Sequence, residues 1–151
     1  MKLYLDCCCY NRPYDDQTQE KVHMEGEAVL AILSKTKQNN DEIIGSPILD
    51  FEIDQINDIE KREKVKYFYS HTITTKADYT VKIFERAQEL SQQSNIRTFD
   101  RFHLSFAENY NADILLTTDI KFEKASSKLN LKIKVINPLK YLMEVINGSD
   151  N

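Results

Sequence analysis

With 151 residues, 20 Lys plus Arg against 24 Asp plus Glu and a net charge of −4, the chain has no strong positive field to draw polyanions to its whole surface. The three cysteines are consecutive, Cys7-Cys8-Cys9, a spacing that excludes loop-closing disulfides and implies reduced thiols and a cytoplasmic setting. The opening MKLYLD meets an acid before any signal-peptide apolar region is complete, and no stretch approaches about 18 apolar residues, so the expectation is a soluble protein without a membrane anchor.

Lys2 to Asp6 reads as a short strand, apolar at Leu3 and Leu5, that stops at an acid. Asn11 to Asp16 is rich in turn formers, and a helix is expected from about Thr18 to Lys35, with Val22, Gly26, Val29 and Leu33 at helical spacing. Glu42 to Ser46 reads as a strand closed by Pro47. From Ile48 a helix begins whose stripe is Ile48, Leu49, Glu52, Ile56 and Ile59. A carboxylate in that stripe must stand in water at its edge or have a partner, because burying a lone charge costs several kcal/mol. The charged run Glu60 to Lys66 continues this helical region as a solvated arm, followed by Tyr67-Phe68-Tyr69.

Thr72 to Thr75 is a short predicted strand, and Ala77 to Ser91 an amphipathic helix. A central helix starts at Asp100, its face marked by Phe102, Phe106 and Tyr110. Ile114 to Thr118 then runs as a buried strand into Asp119. A short helix around Phe122 to Leu129 and a half-exposed edge strand, Leu131 to Ile136, precede a terminal helix opened by Pro138. Strands alternating with helices over residues 1–151 imply a single three-layer α/β domain, its mainly parallel sheet flanked by helices.

Asp6 and Asp119 end strands, Glu52 lies on the apolar side of the helix after another strand, and Asp100 begins the central helix. In a parallel sheet these positions share one edge, where open α/β sheets place their binding crevices. Carboxylates gathered there repel unless a cation sits among them. A hard divalent ion with oxygen ligands is the natural remedy, and such ions hold the attacking and leaving oxygens in phosphodiester cleavage.

In LYLDCCCYNRPYDD, SPILDFEI, DRFHLSFA and ADILLTTDIKF the chain resembles the PIN-domain nucleases, and within them the VapC-like toxins of prokaryotic toxin–antitoxin pairs. The resemblance spans almost the whole chain. It implies a PIN-like fold in which Asp6, Glu52, Asp100 and Asp119 are catalytic ligands of Mg²⁺ or Mn²⁺, with Thr117 lining the pocket. It also implies cleavage of single-stranded or structured RNA by metal-activated water. The partner it implies is a small antitoxin protein. A homodimer is expected on separate grounds: two copies would bring basic residues such as Arg12, Arg97 and Arg101 toward one groove of an acidic molecule, and the Ile53 to Tyr69 arm offers apolar groups to bury between them. Cys8 stands where many members carry Asn, Ser or Thr, and Asn11 is expected to supply a polar group from the longer loop. Arg12, on the same loop, could reach a phosphate. Glu123 is a minor candidate for the further acid that some members carry after the last Asp.

Each acid also has a structural reading: Asp100 as an N-cap, Asp119 as a turn acid, Glu52 as a salt-bridge partner. The cysteines read as packing residues, since a structural zinc site wants a second ligand pair that the sequence lacks. His103 reads as packed on the helix and bonded to a neighbour rather than as a ligand. The alternative to a nuclease is a catalytically weak PIN-like module that binds nucleic acid or protein. An aspartyl-nucleophile phosphatase would want a second Asp where Cys8 stands.

Overall fold

In a computed structural model of the chain, which describes residues 1–149, five strands form one sheet. They are β1 (Lys2–Leu5), β2 (Glu42–Gly45), β3 (Thr75–Lys76), β4 (Ile114–Leu116) and β5 (Lys134–Ile136), in the order β3-β2-β1-β4-β5. Every adjacent pair is parallel. The central strands are apolar on both faces, as a sheet covered by helices requires: Leu3, Tyr4 and Leu5 in β1 and Leu115 and Leu116 in β4 are fully buried. The alternating β5 lies at the edge, as its half-polar sequence predicts.

The helices are α1 (Cys7–Asn11), α2 (Glu20–Asn39), α3 (Pro47–Asp54), α4 (Ile59–Thr72), α5 (Val81–Gln93), α6 (Thr98–Asn109), α7 (Ile120–Ser126) and α8 (Pro138–Ser149). α5 packs on α6, and α2 packs on both α8 and the 3₁₀ turn Arg12–Tyr14. That turn comes so close that a Cβ on Gly26 would sit 3.2 Å from the Arg12 carbonyl oxygen. Asn40, left-handed at φ 56°, ends α2.

Several boundaries differ from the sequence expectation for physical reasons. The predicted continuous arm after Ile48 breaks at residues 55–58, where Asp58 caps a new helix by accepting the Lys61 N–H at 3.2 Å. Thr72 still belongs to α4, so β3 shrinks to Thr75–Lys76, while the Thr74 hydroxyl accepts the Ile43 N–H at 2.9 Å. The buried face of α2 runs through Glu25, Ala28, Val29, Ile32 and Thr36, which places a carboxylate where the sequence reading has a polar flank. Glu25 is satisfied there by Arg12 Nε at 3.0 Å and Asn137 Nδ2 at 2.7 Å, tying the 3₁₀ turn and the entry to α8 onto α2.

Candidate active site

From β1 the chain runs outward on one side, to β2 and then β3, before returning past β1 to β4 and then β5. The strand order therefore reverses between β1 and β4, and in open parallel sheets the crevice at the carboxyl ends of the strands opens at such a switch point. Asp6 leaves β1 at this point, and its backbone N–H donates to the Leu116 carbonyl at 2.9 Å. Its carboxylate caps α1, accepting the Cys7 N–H at 2.7 Å on Oδ1, and accepts the Thr117 hydroxyl at 2.8 Å on Oδ2. The same Thr117 oxygen accepts the Asp119 N–H at 3.1 Å, so one buried hydroxyl links the two strand-end acids. Asp119 in turn caps α7 through the Phe122 N–H at 3.1 Å.

Asp100 and His103 reach the same place from α6, and Glu52 from α3. Asp100 lies in the first turn of α6 but is not its cap; that position falls to Arg97, whose side chain makes no capping bond. His103 is fully buried, with Nδ1 2.5 Å from the Tyr4 hydroxyl and Nε2 in a short hydrogen bond to Glu52 Oε1, 3.6 Å from Asp6 Oδ1. Ligand atoms of Asp6, Asp100 and His103 all lie within 4.8 Å of one another. Glu52 thus finds the partner its position in an apolar stripe demands.

The electrostatics record the crowding. Burial, then the charge of Asp6, pushes the Asp100 carboxyl up from 3.8 to about 6, against the opposing pull of Arg97 and His103. Burial alone would lower the His103 value, but the hydrogen bond to Glu52 and the charges of Asp6, Glu52 and Asp100 outweigh it and raise it. Arg97 acts as a stand-in cation: its side chain, 75% exposed, places Nε 3.2 Å from Asp100 and Nη2 3.4 Å from Asp119. A pocket of buried carboxylates that takes up a surface guanidinium fits a hard divalent cation with oxygen ligands.

Asn11, Arg12 and Glu123 do not join the cluster through any bond among the described residues. The Asn11 amide donates to the Cys7 carbonyl at 3.1 Å, and its Oδ1 is buried without a partner. Arg12 is engaged by Asp15 at 2.8 Å and Glu25 at 3.0 Å. Glu123 accepts the Asn137 N–H at 2.8 Å and pairs with Lys140. Cys8, rather than Asn11, meets the first acid, its Sγ 3.4 Å from Asp6 Oδ2 and 3.5 Å from the Thr117 hydroxyl. All three thiols are free, and burial pushes that of Cys7 up. Sequence reasoning missed Tyr4 and Ser46, which back His103; no periodicity signals a hydroxyl aimed at a ring on another element.

A parallel sheet whose switch point gathers Asp6, Asp100 and His103 within ligand distance of one another, with Glu52 bonded to His103 and Asp119 tied to Asp6 through Thr117, defines an α/β protein with an acidic site suited to a divalent cation. Residues 23–128 match the PIN domain family, and the chain belongs to that family, whose members are nucleases. No curated protein matches the sequence. Solved structures share the fold, three of them as follows. A chain of VapBC2 from Rickettsia felis, bound to a DNA fragment from their promoter, is 19% identical with a TM-score of 0.61, the match covering 91% of this chain and 98% of that one. A chain of FitAcB from Neisseria gonorrhoeae is 14% identical with a TM-score of 0.58, covering 90% and 97%. A chain of VapBC-1 from nontypeable Haemophilus influenzae is 14% identical with a TM-score of 0.58, covering 91% and 98%. No described helix is long and apolar enough to cross a membrane.

Proposed function

We propose that the protein is a Mg²⁺- or Mn²⁺-dependent endoribonuclease that hydrolyses single-stranded RNA in the cytoplasm as the toxin of a toxin–antitoxin pair. What supports this reading is the gathering of Asp6 and Asp100 with His103 at the switch point of a PIN domain, with Glu52 bonded to His103 and Asp119 linked to Asp6 through Thr117. A divalent cation bound there supplies Lewis-acid activation of water and of the phosphate. Asp6, Glu52, Asp100 and Asp119 hold it, and Thr117 fixes the spacing of the two strand-end acids by bonding Asp6 and Asp119 at once. Arg97, exposed at the rim beside Asp100 and Asp119, would be free to meet a phosphate oxygen if a cation took its place between those acids. Replacing Asp6 or Asp119 by Asn abolishes Mn²⁺-stimulated cleavage of single-stranded RNA while circular dichroism stays unchanged; wild-type activity in either variant would overturn the reading.

The partners follow from the same reading. A basic side chain from a small antitoxin can occupy the place Arg97 takes here, a reading supported by the likeness to chains of VapBC2 and VapBC-1. A homodimer brings further basic groups to an acidic molecule that must hold a polyanion. Of the Ile53–Tyr69 arm expected to form it, Val65 and Tyr69 are buried in the protein's own core and Phe68 packs edge-on against Tyr10 and Tyr14, while Ile59 and Tyr67 stay exposed. Exposed aromatic surface also lies at Phe51 and Phe99, which pack edge-on, and at Tyr79 and Phe84, which stack, and the dimer is assigned to these pairs.

The second reading, a catalytically weak binding module, is favoured by Cys8 beside Asp6 and by Glu123 being engaged elsewhere. Calorimetric titration with Mn²⁺ separates the two, since only a working site binds the ion in a way that depends on Asp6.

A further inference from the structure

His103 lies among the carboxylates close enough to be taken for a metal ligand, and the hydrogen bonds around it decide otherwise. Ser46 is fully buried; its Oγ accepts the Leu49 N–H at 3.2 Å as the cap of α3, and its other hydroxyl contact is Tyr4 at 2.7 Å. The Ser46 proton therefore goes to the Tyr4 oxygen, because a buried hydroxyl proton without an acceptor is costly. Tyr4, also fully buried, spends its own proton on His103 Nδ1 at 2.5 Å. With Nδ1 accepting, the neutral ring carries its proton on Nε2, the nitrogen that faces Glu52. A charged ring has a proton there as well. In neither form does Nε2 hold a lone pair for a metal, and a bare lone pair aimed at Glu52 and at Asp6, 3.6 Å away, would be repelled by both.

We propose that Ser46, Tyr4 and His103 form a hydrogen-bond relay that positions Glu52 for the metal, with His103 itself outside the ligand set. The inference rests on the nuclease reading for the metal but not for the relay. Its anchor is rigid: the Ser46 N–H donates to the Tyr69 hydroxyl at 3.1 Å, and Tyr69 donates back to the Ser46 carbonyl at 3.3 Å. Glu52 is the acid that most needs such a guide. Its side chain is the longest of the four acids' and stays 22% exposed, whereas Asp6 and Asp119 are each fixed by backbone N–H groups. Partners behind a metal ligand typically contribute about 10–100-fold in affinity, so His103 is a positioning residue of that weight.

The test uses the full-length protein. His103→Ala should weaken Mn²⁺ binding by about 10–100-fold in calorimetry, whereas His103→Gln, whose amide NH₂ can stand where Nε2–H stands, should retain most of the affinity. Pulsed electron paramagnetic resonance of the Mn²⁺-loaded wild type should show no directly bound imidazole nitrogen. A bound nitrogen, or unchanged affinity in His103→Ala, would overturn the proposal. In metal-free protein, nitrogen-15 NMR should find the ring proton on Nε2, and a bare Nε2 would overturn the relay whether or not His103→Ala folds. Failure of wild-type protein to bind Mn²⁺ at all would instead sink the nuclease reading, and the ring-proton measurement would still decide the relay.

Discussion

Replacing Asp100 by Asn should make the metal-free protein more stable while destroying the site. The Asp100 carboxyl is raised from 3.8 to about 6 by burial and by Asp6. At roughly 1.4 kcal/mol per pH unit, that difference corresponds to about 3 kcal/mol of penalty for keeping the charge in the folded state. Because the folded value lies above the unfolded one, the native state holds the proton more tightly. The favourable contribution is complete below about pH 4 and is lost as the pH rises to about 6. Asn avoids the penalty, and the Arg97 contact it weakens is mostly exposed and contributes little. Urea unfolding in cation-free buffer at pH 7.5 should show Asp100→Asn more stable by about 1–3 kcal/mol, or roughly 2–4 °C in Tm for each kcal/mol. At pH 3.5 the gain should vanish. Saturating Mn²⁺ should reverse the order at pH 7.5, since an ion at about 1,000 times its Kd stabilises only the protein that binds it, by about 4.1 kcal/mol. A variant less stable than wild type at pH 7.5, or equally favoured at both pH values, would refute the reasoning.

Three further outcomes are expected. Gly45→Ala should lose about 1–3 kcal/mol in urea unfolding, because its Cβ would lie 2.7 Å from both the Tyr69 hydroxyl and Ile73 Cδ1; an unchanged midpoint would contradict the packing. Arg97→Ala removes a competitor for Asp100 and Asp119 and should bind Mn²⁺ a few-fold more tightly by calorimetry, with a weaker affinity showing that Arg97 supports the site. Phe84→Glu should convert the dimer to a monomer in light scattering, and a dimer that survives it would remove the Tyr79–Phe84 pair from the interface.

The fold was legible where local chemistry and tertiary position agree. Apolar runs that stop at Asp6 and Asp119 mark both the strands and the end of the sheet where these acids meet through Thr117. Glu52 was legible as a problem, a carboxylate in an apolar stripe, but its answer lies 51 positions away in His103, and no spacing encodes that distance. Arg12 illustrates the converse. On a turn-rich loop it resembles a phosphate contact, yet the 3₁₀ turn folds it back onto the buried Glu25, a pairing that neither residue's local pattern announces. The break between α3 and α4 was carried by the turn-forming pair Asn57-Asp58, whose cap geometry outcompetes the continuing helical stripe.

Because β1 and β4 are neighbours, the hydroxyl of Thr117 holds an acid 111 positions earlier in the chain, and Leu5 pairs with Leu116 immediately beneath it. Closing so long a loop is slow and comes late in folding. It also makes the pocket a property of the nearly completed polypeptide: a chain interrupted before residue 114 retains Asp6, Glu52 and Asp100 but lacks both β4 and the fourth acid, Asp119, that follows it. A chain truncated ahead of β4 therefore lacks the completed pocket, and any destructive chemistry this pocket performs waits for the segment that carries Thr117 and Asp119.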